Sequence, residues 1–99
     1  MISMIDLNPY FRKKLGETLV FNHEHEKYLM EVIATCEVPN SVYLETSSLP
    51  QQTGEHIWKY HGVFEIDLNL VGSVRAVKEA VVFCLKNDRS TAKARKLNN

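Results

Sequence analysis

Glu55-His56-Ile57-Trp58-Lys59-Tyr60-His61-Gly62-Val63-Phe64-Glu65-Ile66-Asp67-Leu68 is the stretch whose reading decides the fold. It alternates apolar and polar residues and carries β-branched and aromatic side chains, which suits strands. Gly62 accepts positive φ freely, and His is enriched there among non-glycine residues. The stretch therefore reads as two strands joined by a two-residue turn at His61-Gly62. Tyr60 then pairs with Val63, Lys59 with Phe64, Trp58 with Glu65, Ile57 with Ile66 and His56 with Asp67. Paired residues share a face. One face carries Ile57, Phe64, Ile66 and Leu68 and is expected in the core. The other carries His56, Trp58, Tyr60, Val63, Glu65 and Asp67 and is expected at solvent.

Upstream, Val42 to Thr46 reads as a further strand, and Ser47 to Gly54 as a polar loop. Residues 23 to 36 read as a helix. Tyr28, Leu29, Val32, Ile33 and Cys36 form a stripe at the helical period, and Glu24 and Glu26 suit the positive end of the helix dipole. Val38-Pro39-Asn40 ends it, because the residue before proline resists the α region. Thr18 to Phe21 reads as a short strand. Asn8-Pro9 and Gly16 bound a short first helix.

Downstream, Ser73 is placed to cap a last helix whose buried stripe is Val74, Val77, Val81, Cys84 and Leu85. Beyond Asn87-Asp88 the apolar pattern stops. Residues 89–99 are expected to form a basic, disordered tail behind a single domain over residues 1–88. The expected fold class is α+β: a two-layer sandwich, with a three- to four-stranded antiparallel sheet covered on one face by two main helices.

The chain has 99 residues and no formal net charge, but the charge is unevenly spread. Residues 86–99 hold five basic residues against Asp88, whereas residues 15–72 hold nine acids against Lys27 and Lys59. An acidic body with a basic tail favours a cationic partner for the body. No apolar run reaches the roughly 18 residues of a membrane span, and the first residues have no basic, then apolar, leader pattern. A cytoplasmic protein that does not enter the membrane is expected. Cys36 and Cys84 have no metal-type spacing and are expected buried and reduced.

Catalytic and metal chemistry find little footing. His23 and His25 lie two apart, a poor ligand spacing on a helix, and no spacing ties His56 or His61 to them. There is no Gly-x-Ser-x-Gly elbow, no glycine-rich phosphate loop and no His-Glu-x-x-His. An enzyme is not expected, nor any cofactor or metal. The order of helix, three strands and helix over residues 23–86 is similar in outline to the double-stranded-RNA-binding domain. Gly54-Glu55-His56 stands where that family has a Gly-Pro-x-His loop, and Arg75 and Lys78 stand where it has phosphate-binding lysines. The resemblance implies RNA binding through the last helix and the basic tail. The lysine run is absent and Glu55 replaces the proline, so the likeness is one of outline.

The leading expectation is a small non-enzymatic protein-binding module, of regulator, inhibitor or immunity type. Its binding residues would be Trp58, Tyr60, Glu65, Asp67 and His56. Two aromatic rings beside two carboxylates resemble an interface anchor selective for cations. The bland alternatives are ordinary cross-strand aromatic packing, or the chain's own basic tail folding over this face. The expected partner is another protein with a basic surface. A homodimer is a further option, and nucleic acid is the less favoured alternative.

Overall fold

A computed structural model describes residues 18–38, 40–51 and 57–97. The first helix read at Asn8 to Gly16, and His56 with its neighbours Gly54 and Glu55, lie outside the described residues. The described chain forms an antiparallel sheet of five strands in sequence order. They are β1 (Thr18–His23), β2 (Glu26–Cys36), β3 (Ser41–Pro50), β4 (Lys59–Asp67) and β5 (Ala94–Lys96). Helix α1 (Val74–Asn87) lies between β4 and β5 in the chain and covers one face of the sheet. The class is α+β, with five strands and, among the described residues, one helix.

The second helix of the sequence reading is a strand. Residues 26–36 form β2, paired with β1 and β3. Tyr28, Met30 and Val32 are buried at a period of two, while Leu29 and Glu31 between them are only half-buried. The helical stripe joins Leu29 and Ile33 to Tyr28 and Val32, and it misses Met30, which is fully buried. Neighbours on both sides and β-branched Val32, Ile33 and Thr35 favour the extended chain over a marginal helix. The pairing slips between Val32 and Ala34, where Ile33 is the extra residue of a bulge and is 42% exposed.

The expected hairpin turn is absent as well. β4 runs straight through His61-Gly62 and pairs along β3, with Thr46 opposite Gly62 and Ser47 opposite Tyr60. His61 is the unpaired extra residue of a bulge, and Gly62 has φ +93°, which glycine adopts without strain. Lys59 pairs with Ser48 rather than Phe64. Ile57, expected in the core, is 80% exposed. The polar loop read at Ser47 to Gly54 begins later than expected, since Ser47–Pro50 belong to β3.

The last helix follows its sequence signals. The Ser73 hydroxyl accepts the Ala76 N–H at 3.1 Å, and Asp88 closes the other end in the left-handed region at φ 52°. Val77, Val81 and Cys84 are buried against Met30, Val32, Val42, Leu44, Phe64 and Ile66. The disordered tail is corrected over residues 89–97. Ala94 pairs with Ile66, is fully inaccessible and accepts the Cys84 thiol at its carbonyl at 3.3 Å. Leu97 N–H donates to Val63 O at 2.9 Å, and Lys96 N–H to Ser90 Oγ at 2.9 Å. The open edge of β4 offers these residues backbone partners, which compensates for their lack of apolar side chains. Cys84 is buried as expected, but Cys36 is only half-buried at the end of β2, and both are free thiols. Among the described residues, no helix is long and apolar enough to cross a membrane.

Candidate functional site: the face of the sheet away from the helix

α1 covers one face of the sheet, and no described element covers the other. Alternation along β3 puts Val42, Leu44, Thr46 and Ser48 into the buried layer, leaving Tyr43, Glu45, Ser47 and Leu49 half-buried on the opposite face. The pairing extends this face into rows across the strands. One row runs Ala34, Tyr43, Glu65, Arg95. The next runs Thr18, Glu31, Glu45, Val63, and a third runs Val20, Leu29, Ser47, Tyr60.

Two tyrosine–carboxylate pairs lie on this face, one within the first row and one between the second and third. Tyr43 Oη donates to Glu65 Oε2 at 3.0 Å, and Tyr60 Oη donates to Glu45 Oε2 at 2.9 Å. Each bond stabilises the neutral phenol beside a carboxylate and pushes that hydroxyl's pKa up. Arg95 of β5 pairs with the other oxygen of Glu65. That hydrogen bond holds the Glu65 carboxyl below its usual range, with Tyr43 assisting and partial burial opposing. One residue of the basic C-terminal segment thus neutralises part of this acidic face, in line with one of the bland alternatives.

The middle row is different. Glu31 and Glu45 are direct cross-strand partners, so two carboxylates stand opposite one another on the open face. Like charges in this position repel. No described cation pairs with either.

Of the residues named from sequence, Tyr60 and Glu65 lie on this face, and Asp67 continues β4 beyond Glu65. Asp67 fixes the turn toward α1. Its Oδ1 accepts the Asn69 N–H at 2.8 Å, and its carbonyl accepts from Leu70 and Val71. Trp58 precedes β4, is 39% exposed, and is not paired with Glu65 as expected. His56 lies outside the described residues. Glu31, Glu45 and Tyr43 escape a reading that makes residues 23–36 a helix. The alternation of Val42, Leu44 and Thr46 with Tyr43 and Glu45 already signals the last two.

The two cations near the start of α1 are engaged on the protein itself. Arg75 Nε lies 3.5 Å from Glu79, and the Lys78 ammonium sits 5.2 Å from the centre of the Phe21 ring. The five-strand sheet with a single described helix also departs from the helix–three strands–helix outline of the double-stranded-RNA-binding domain. No known protein family, curated protein or solved structure matches this chain.

Proposed function

We propose that the chain is a small, non-enzymatic protein-binding module of regulator or inhibitor type, acting in the cytoplasm through the open sheet face. The observation that carries this reading is the directly opposed pair Glu31 and Glu45, bordered by Tyr60 and by the exposed side chains of Val20 and Ile33. A lysine or arginine placed between the two carboxylates would relieve their repulsion, and the tyrosines and aliphatic side chains around them would supply apolar area. Five strands at roughly 4.8 Å spacing make this face about 20 Å wide. That is narrow for the ~800 Å² per side of a stable complex, so the contact extends to Trp58 at its margin.

The test is affinity capture on the immobilised chain, with nuclease-treated lysate and with the Glu31→Lys/Glu45→Lys double variant in parallel. The expected result is a basic protein retained by the parent and lost by the double variant, with Tyr60→Ala weakening it by about 1–2 kcal/mol. A partner held equally by all three chains would refute this reading.

A further inference from the structure

A second feature lies at the edge of the sheet formed by β4 and β5, where Tyr60 and Arg95 border it. The first half of β4, the last turns of α1, the segment 88–90 and β5 with Leu97 enclose an open groove of about 930 Å³. Four cations line it, Lys59, Arg89, Arg95 and Lys96, against the single carboxylate of Asp88. Arg95 is occupied by Glu65. Among the described residues, no carboxylate pairs with Lys59, Arg89 or Lys96.

These cations come from different parts of the fold, and the fold holds two of them in place. Lys96 is fixed by its N–H to Ser90 Oγ, and its Cε lies 3.6 Å from where a Cβ on Gly62 would stand. The Lys96 stem thus lies across β4 at the Gly62 bulge, within ordinary contact distance of it. The Arg89 guanidinium sits 5.5 Å from the centre of the Phe83 ring, a contact that leaves its N–H donors available. A cation beside a helix C-terminus often just complements the helix dipole. That accounts for Lys86 in the last turn, but not for Lys59 and Lys96, which come from the sheet. His61 and Ser90 add polar atoms to the wall, and Leu85 and Leu97 add apolar surface. The His61 Nε2 is already engaged with Ser48 Oγ at 2.6 Å.

We propose that this groove binds the phosphates of a nucleotide, either free or as a link in a single strand. Three cations without a described carboxylate partner, spread over a groove of this size, suit a ligand with several negative charges along its length better than a lone carboxylate. The volume is within the range of small-ligand sites, ~300–1,000 Å³. The apolar wall at Leu85 and Leu97 gives the sugar or base something to lie against. The groove shares Tyr60 and Arg95 with the acidic sheet face, but its charge sign is opposite. The cations it relies on, Lys59, Arg89 and Lys96, take no part in the protein-binding reading, so the site stands or falls independently of that reading.

The experiment titrates the full chain, labelled for amide NMR, with ATP and separately with a ten-residue oligothymidylate at about 50 mM salt. Shifts are expected at Lys59, His61, Ser90, Arg89 and Lys96 with one ligand or both. Response to ATP alone identifies a mononucleotide site, and response to the oligonucleotide alone identifies a strand site. For a strand bound through three phosphate contacts, log K should fall against log salt with a slope of about −2. The Lys59→Glu/Arg89→Glu/Lys96→Glu triple variant should bind at least 10-fold more weakly, and Lys96→Gln alone should reduce the slope by about 0.7. Circular dichroism and melting of each variant confirm that it is folded. The proposal is overturned if neither ligand binds, if the shifts centre on Arg75 and Lys78, if the folded triple variant binds like the parent, or if heparin binds at the same residues as tightly as the nucleotides.

Discussion

Replacing Gly62 by alanine isolates the backbone contribution at the β4 bulge. Space is not the obstacle, because an added Cβ would meet nothing closer than the flexible Lys96 Cε at 3.6 Å, an ordinary contact. The cost is conformational: Gly62 sits at φ +93°, where an L side chain is strained by about 1–2 kcal/mol. Alanine also stiffens the unfolded chain, which returns about 0.4–1 kcal/mol, less than the strain where the native φ is unsuitable. A net destabilisation of about 1 kcal/mol lowers the melting temperature of a domain this size by roughly 4–8 °C. Urea denaturation followed by Trp58 fluorescence measures it. His61 is the matched control, since it does not have positive φ, whereas a type I′ hairpin turn needs positive φ at both central residues. His61→Asn, which should be favourable at a positive-φ site, is therefore expected to give no gain. A stabilising His61→Asn would refute the bulged strand and restore the turn, whereas a neutral Gly62→Ala would refute the positive φ at Gly62 that both geometries require.

Further outcomes follow from the same geometry. Ala94→Asp places an unpaired carboxylate in a fully buried position and should cost about 3 kcal/mol or more, seen as a large drop in denaturation midpoint; a surface-like effect would mean that β5 is not docked. The His61 pKa is lowered, first by burial and then by Lys59 and Lys96, with Glu26 opposing. Below the ordinary histidine pKa of about 6.5 the unfolded chain therefore takes up a proton that the folded chain resists, so stability should fall as pH drops from about 7 toward 5. His61→Gln should flatten that part of the pH–stability curve. A thiol reagent should label half-buried Cys36 well before Cys84, which lies in the core and becomes accessible only on unfolding. Equal rates without denaturant would contradict the packing.

Much of the outer face is legible in the sequence, though through an incorrect turn. A two-residue turn at His61-Gly62 and a one-residue bulge at His61 both shift the alternation by one residue. Either way Tyr60 before it and Val63, Glu65 and Asp67 after it fall on the same face, while Phe64 and Ile66 go inward. The difference appears in the partners: Glu65 faces Tyr43 and Arg95, not Trp58. The last helix is legible because Ser73 caps it and its valine stripe is long. β2 is not, because Tyr28, Leu29, Val32 and Ile33 satisfy the helical spacing while Tyr28, Met30 and Val32 satisfy the strand spacing, and only the presence of β1 and β3 on either side decides between them. β5 leaves almost no apolar signature, since its one buried residue is Ala94.

The sheet order β1-β2-β3-β4-β5 has a consequence for how the chain acquires its structure. Each strand pairs with the one just before it, so the first three pairings close over short separations and their loop-closure entropy is small. The β4–β5 pairing joins Phe64 to Lys96 across the whole of α1 and is the longest closure in the sheet. Low contact order at one end and a single distant docking at the other predict a rapid first phase that zips the meander, then a slower one in which α1 and β5 close over it. Until that second event, Ile66 and Phe64 sit on an open strand edge with their inner face uncovered. In the interval between the two phases the chain is most exposed to aggregation, and substitutions in β5 should act there on folding yield as well as on final stability.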